Sequence, residues 1–167
     1  MTDLRGLAVG SVVAQRGVLP QEVEVVRERQ HGDMAAVAYI ARRRSDGSSF
    51  RGFAGLRRRE DGIWRSSGGW SSGAPDGVGP EAIWAAWGGW GSDPPGAAEA
   101  GVRGGWVADP TAALVRLTDP SGRIVEDRVE AGVAILIWDQ GLATREAVVE
   151  LVDADGAVLR RALLERS

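Results

Sequence analysis

The chain has 167 residues, a mass of 17.7 kDa, no Cys, one His and a formal net charge of −3. Its 44% hydrophobic and 26% charged content suits a globular protein with one large core or two small ones, and excludes wholesale disorder. Without Cys there is no disulfide, thiolate metal site or thiol nucleophile, and a single His leaves little for a His-based metal cage or catalytic triad.

The N-terminus, Met1-Thr2-Asp3-Leu4-Arg5-Gly6, lacks the basic patch and apolar stretch of a secretory signal. The apolar runs, Val133 to Trp138 among them, fall far short of the ~20 residues that a membrane helix needs. A soluble, cytoplasmic, mainly β protein is expected, with no membrane association. Three sections differ in composition. Residues 1–67 hold 12 Arg against 8 acids, residues 68–104 one Arg against 4 acids, and residues 105–167 7 Arg against 11 acids. These sections predict an antiparallel meander, a Gly/Trp-rich connector and a β-sandwich module, able to form one continuous body.

In the first section, Val23 and Val25 alternate with Glu22 and Glu24, although residues 21–30 also fit a short helix begun at Pro20. Met34 to Ala41 is nearly all apolar, as in a strand covered on both faces. Phe50, Ala54 and Leu56 fall on one face of the next strand and Arg51, Phe53 and Arg57 on the other. A fourth strand begins at Ile63, and Asp46-Gly47 and Asp61-Gly62 mark hairpin turns.

The connector concentrates tryptophan. Trp70, Trp84, Trp87, Trp90 and Trp106 fall within 37 residues, and Gly-Gly-Trp occurs at 68–70, 88–90 and 104–106. Pro80, the alanines and the Gly88-Gly89 stop predict a short helix near 80–87 with Trp84 and Trp87 on one face. One reading is an aromatic platform for a protein, a sugar or another small ligand. The other is that the indoles plug the connector onto the two sheets. If they form a platform, Trp84, Trp87 and Trp90 should matter more for binding than the arginines.

The last section alternates through Ala113, Val115 and Leu117, then continues through Ile124–Val129, Val133–Trp138, Val148–Val152 and Val158–Leu164. Asp119-Pro120-Ser121-Gly122 and Asp153-Ala154-Asp155-Gly156 are matching hairpin turns. The stretch from Gly105-Trp106-Val107 through Ser121-Gly122-Arg123 and Gly132-Val133-Ala134 to Asp153-Ala154-Asp155-Gly156 resembles a β-sandwich module of actinobacterial proteins. That module is similar to immunoglobulin-like and transthyretin-like accessory domains. The resemblance covers about 60 residues, rests mostly on turn residues, and implies binding or scaffolding with no catalytic residues to carry over. The use of Arg without a single Lys agrees with a GC-rich genome of that kind.

Two arginine triplets, Arg42-Arg43-Arg44 and Arg57-Arg58-Arg59, end strands and run into Asp-Gly turns, so they are expected to cluster at one edge of the meander. Phe50, Phe53 and Trp64 interleave with them, the composition of a single-strand nucleic-acid surface, but the acidic chain argues for a protein partner instead. His31 and Asp33 form a conceivable general base and its orienter, the basis of an enzyme alternative. Asp153, Asp155 and Gly156 lack the Glu that would complete a calcium loop, and no metal or cofactor is expected. The favoured function is a non-enzymatic interaction protein. Its candidate binding residues are Trp70, Trp84, Trp87, Trp90, Arg57, Arg58 and Arg59.

Overall fold

The structure, a computed structural model, describes residues 2–72, 89–90, 99–143 and 146–163, and for Trp70 and Trp90 the backbone alone. It is mainly β. One helix, α1 (Leu4–Arg16), precedes a one-turn 3₁₀ segment (Pro20–Glu22) and four strands: β1 (Val23–His31), β2 (Met34–Arg42), β3 (Ser49–Arg58) and β4 (Trp64–Ser72). After them come β5 (Gly89–Trp90), β6 (Glu99–Trp106), β7 (Ala112–Thr118), β8 (Ile124–Arg128), β9 (Val133–Leu142), β10 (Val148–Asp153) and β11 (Val158–Leu163).

The strands form three antiparallel sheets. Sheet A is the meander β1-β2-β3-β4, sheet B runs β5-β6-β9, and sheet C runs β11-β10-β7-β8. Their apolar faces stack in layers. Helix α1 lays Leu4, Ala8 and Val12 on Val37, Tyr39, Phe50 and Leu56 of sheet A. The opposite face of sheet A, with Met34, Ala36, Ala38 and Phe53, packs on Val102, Trp106, Val133 and Ile135 of sheet B. The far face of sheet B, with Ala134, Leu136 and Trp138, packs on Val115, Leu117, Val149 and Leu151 of sheet C.

Alternation explains the order of layers. Successive side chains of a strand point to opposite faces, so a strand covered on both sides must be apolar at every position. The runs in β2 and β9 are of this kind: each serves one apolar cluster with its odd residues and another with its even ones. Sheet B comes close to sheet A at Gly104, where an added Cβ would run into the Phe53 ring, and within sheet B one on Gly101 would run into the indole of its ladder partner Trp138.

Several sequence expectations are revised. Helix α1 was not anticipated, because Gly6, Gly10 and three valines weaken its intrinsic preference. It is fixed from outside the helix. Asp3 caps its first turn by accepting from the Gly6 amide at 2.9 Å, Gly17 ends it, and its apolar stripe lies on sheet A. Residues 23–31 are strand and not helix. Strand β4 extends to Ser72, past the composition boundary at 67, and β6 crosses the one at 104. The helix expected near 80–87 lies outside the described residues.

The matched turns at 119–122 and 153–156 share one geometry. In each, the Asp carboxylate accepts two backbone amides of its own turn, from Ser121 and Arg123 or from Asp155 and Ala157, and the closing glycine has φ +86 or +88. Only glycine adopts that conformation without strain.

Candidate functional site

The two arginine triplets do not cluster. Sheet A is a meander, so the turns that follow β1 and β3 lie at one end and the turn that follows β2 lies at the other. Strands of nine or ten residues separate those ends by roughly 30 Å. The expectation failed because both triplets end strands, but those strands, β2 and β3, run in opposite directions.

At the first end, an open cavity of about 800 Å³ is lined by Asp33, Arg57, Arg58, Arg59, Glu60, Asp61 and Arg65. Arg57, Arg58 and Arg59 are all exposed. Arg58 is held in place: its Nε donates to Asp33 at 2.7 Å, its amide donates to the Asp33 carbonyl at 2.8 Å, and its guanidinium lies 5.8 Å from the centre of the Trp64 ring. Arg65 donates to Asp61 at 3.1 Å. The Ile63 amide and Arg65, with Arg59 more weakly, hold the Asp61 carboxyl below its ordinary range. Arg57 has no ion pair among the described residues, and it stands directly across the β3–β4 ladder from Arg65. Like charges at directly opposed positions destabilise a sheet.

The tryptophans divide. Trp84 and Trp87 lie outside the described residues. In the backbone register, Trp70 sits opposite Phe53 and Trp90 opposite Val102. Trp106 is buried between sheets A and B, 6.1 Å from Phe53 and beneath Arg51 at 4.7 Å. Phe50, Phe53 and Trp64 are buried as well, so the aromatics interleaved with the arginines offer no stacking face to a nucleobase. Asp33 commits its carboxylate to Arg58 and lines the arginine cavity. His31 lines a different one, of about 250 Å³, with Arg29, Ile137, Trp138 and Leu142.

Sequence reasoning missed a second group of arginines, Arg27 and Arg29. Among the described residues, β9 is an edge of sheet B, and its outer edge is met by side chains instead of a strand. Arg27 Nη1 donates to the Val133 carbonyl at 2.8 Å and Arg29 Nη1 to the Ile135 carbonyl at 2.5 Å. Asp127 of β8 accepts the Ile135 amide at 2.6 Å and bridges both guanidiniums, Arg27 through two bonds and Arg29 at 2.8 Å. One carboxylate thus ties a strand from each of the three sheets. A β-bulge between Val25 and Arg27 makes this possible, because it turns Arg27 and Arg29 onto the face of sheet A that meets sheet B.

Among the described residues, no group of three or more His, Asp or Glu side chains converges as metal ligands would, and no helix is long and apolar enough to cross a membrane. Searches against protein-family models, curated proteins and solved structures found no match for this chain.

Proposed function

We propose that the protein is a non-enzymatic interaction protein of the bacterial cytoplasm that docks an acidic protein partner on the Arg57–Arg59 end of sheet A. The observation that carries this reading is Arg57, exposed, opposed by Arg65 and without an ion pair among the described residues. An arginine there costs hairpin stability by itself, and a carboxylate approaching from a partner would relieve the repulsion. Arg58, fixed by Asp33 and Trp64, supplies a pre-oriented fork beside it. The sandwich made by sheets B and C serves as scaffold, in keeping with the accessory-module resemblance.

The test is affinity capture from the native host at low and high salt, with the wild-type chain and an Arg57→Ala/Arg59→Ala variant as baits. Acidic proteins that elute with salt from the wild type and are lost from the variant are the expected result. An unchanged set of captured proteins on the variant bait would overturn the assignment.

A further inference from the structure

The other end of sheet A carries a different kind of site. Helix α1 brings Arg16 to the β2–β3 connection, where Arg43, Arg44 and Ser45 meet it, with Ser71 of β4 alongside. They line a cavity of about 340 Å³ in which every charged lining residue among the described ones is an arginine. From this juxtaposition we propose that the cavity binds a small phosphorylated molecule, its phosphoryl group held by Arg16, Arg43 and Arg44.

Each part of the cavity bears on that assignment. Arg43 lies 5.4 Å from the centre of the Phe50 ring, an aromatic face that orients its guanidinium; Asp46 acts on it through the field but makes no ion pair with it. The Arg16 guanidinium sits beside the Tyr39 hydroxyl, where it opposes the upward push that burial gives that group. The nearest acid of the loop, Asp46, is turned onto Ser48, whose amide donates at 2.9 Å and whose hydroxyl donates at 2.7 Å. Arg16, Arg43 and Arg44 have no salt bridge among the described residues.

The end of α1 adds a partial negative charge of roughly half an electron, which three guanidiniums outweigh. The cavity remains a place where three like charges converge. Three forks offer more donors than the two oxygens of a carboxylate can accept, whereas a phosphoryl group presents three oxygens and close to two charges. The hydroxyls of Ser45 and Ser71 can complete the shell. The volume lies at the lower end of the small-ligand range, larger than a bare phosphate requires, so part of the ligand beyond the phosphoryl group is enclosed too.

Phenyl phosphate, inorganic phosphate and citrate serve as probes, titrated at low ionic strength into the full chain and followed by calorimetry and by phosphorus NMR. Saturable binding of phenyl phosphate, tighter than that of inorganic phosphate or citrate, is the expected result. An Arg43→Gln/Arg44→Gln variant should weaken it by about tenfold or more, since each lost charge-assisted bond contributes roughly that factor. An Arg57→Gln/Arg59→Gln variant at the opposite end should bind like the wild type. The single Arg44→Gln variant, altered only on an exposed loop, keeps the comparison valid if the double variant folds poorly. Absence of saturable binding, equal affinity for citrate, or equal loss in the opposite-end variant would overturn the proposal. These probes and residues are separate from those of the partner assay, so either proposal can fail alone.

Discussion

Arg27 and Arg57 sit in the same sheet, on β1 and β3, two strands apart, and do opposite things. Arg27 has a side chain only 10% exposed and spends its donors on Asp127 and on the carbonyls of Arg128 and Val133. Arg57 is exposed, faces Arg65, and has no ion pair among the described residues. The residue type is constant, so the difference lies in what surrounds it. A guanidinium next to an unpaired strand edge and a buried carboxylate becomes a structural tie. The same group at a hairpin end, unpaired with the acids around it, is left available to a ligand.

The largest effect should come from breaking the tie. Asp127→Ala leaves two guanidiniums and the Ile135 amide without their acceptor, and should cost about 3–5 kcal/mol of unfolding free energy, as when one partner of a buried ion pair is removed. Urea denaturation measures it. A loss below about 1 kcal/mol would mean that the network is solvated and contributes little. The contrast sharpens with Arg57→Ala, which should leave stability unchanged or raise it by about 0.2–1 kcal/mol by removing a like-charge pair. Destabilisation would show that Arg57 belongs to the framework after all.

The smallest effect depends on pH and fades in acid. Asp119 accepts the Ser121 hydroxyl and the amides of Ser121, Arg123 and Ala143, and these bonds lower its pKa from the ordinary 3.8 to about 2. Its folded pKa lies below its unfolded one, so the carboxylate stabilises the fold fully above pH 3.8, and that contribution fades as pH falls through about 2. An Asp119→Asn variant should therefore be less stable than the wild type near neutrality, with the gap closing toward pH 2. Thermal melts across that range would show it, and a gap independent of pH would refute it.

Much of the fold can be read from the residues, because alternation reports burial directly. The runs Met34–Ala41 and Val133–Trp138 announce strands covered on both faces, and the Asp-Gly turns fix the hairpins between them. Residues 21–30 resist such a reading because the bulge after Val25 breaks the period. Val23 and Val25 pack with the helix layer, whereas Val26 packs with sheet B. Helix α1 is hidden for another reason, since its stability is tertiary and its composition is not helical. The candidate site is less legible. The triplets are visible as charge, but which strand end each occupies depends on topology, and the partner of Arg43 and Arg44 is Arg16, on the helix that the pattern did not disclose.

Strand β9 lies at the centre of the layers, and it is made late. The 106 residues between Arg27 and Val133 take roughly 5–20 s to synthesise at roughly 5–20 residues per second. During that interval α1 can already cover one side of sheet A, while Met34, Ala36, Ala38 and Phe53 on the other side wait for their cover. The nascent chain is thus exposed to sticking at one surface only. Two of those four positions are alanine, the smallest side chain that still packs, and Arg27 and Arg29 keep the rim charged until Asp127 arrives. A face chosen for tight packing in the finished protein also limits how strongly the unfinished one attracts its neighbours.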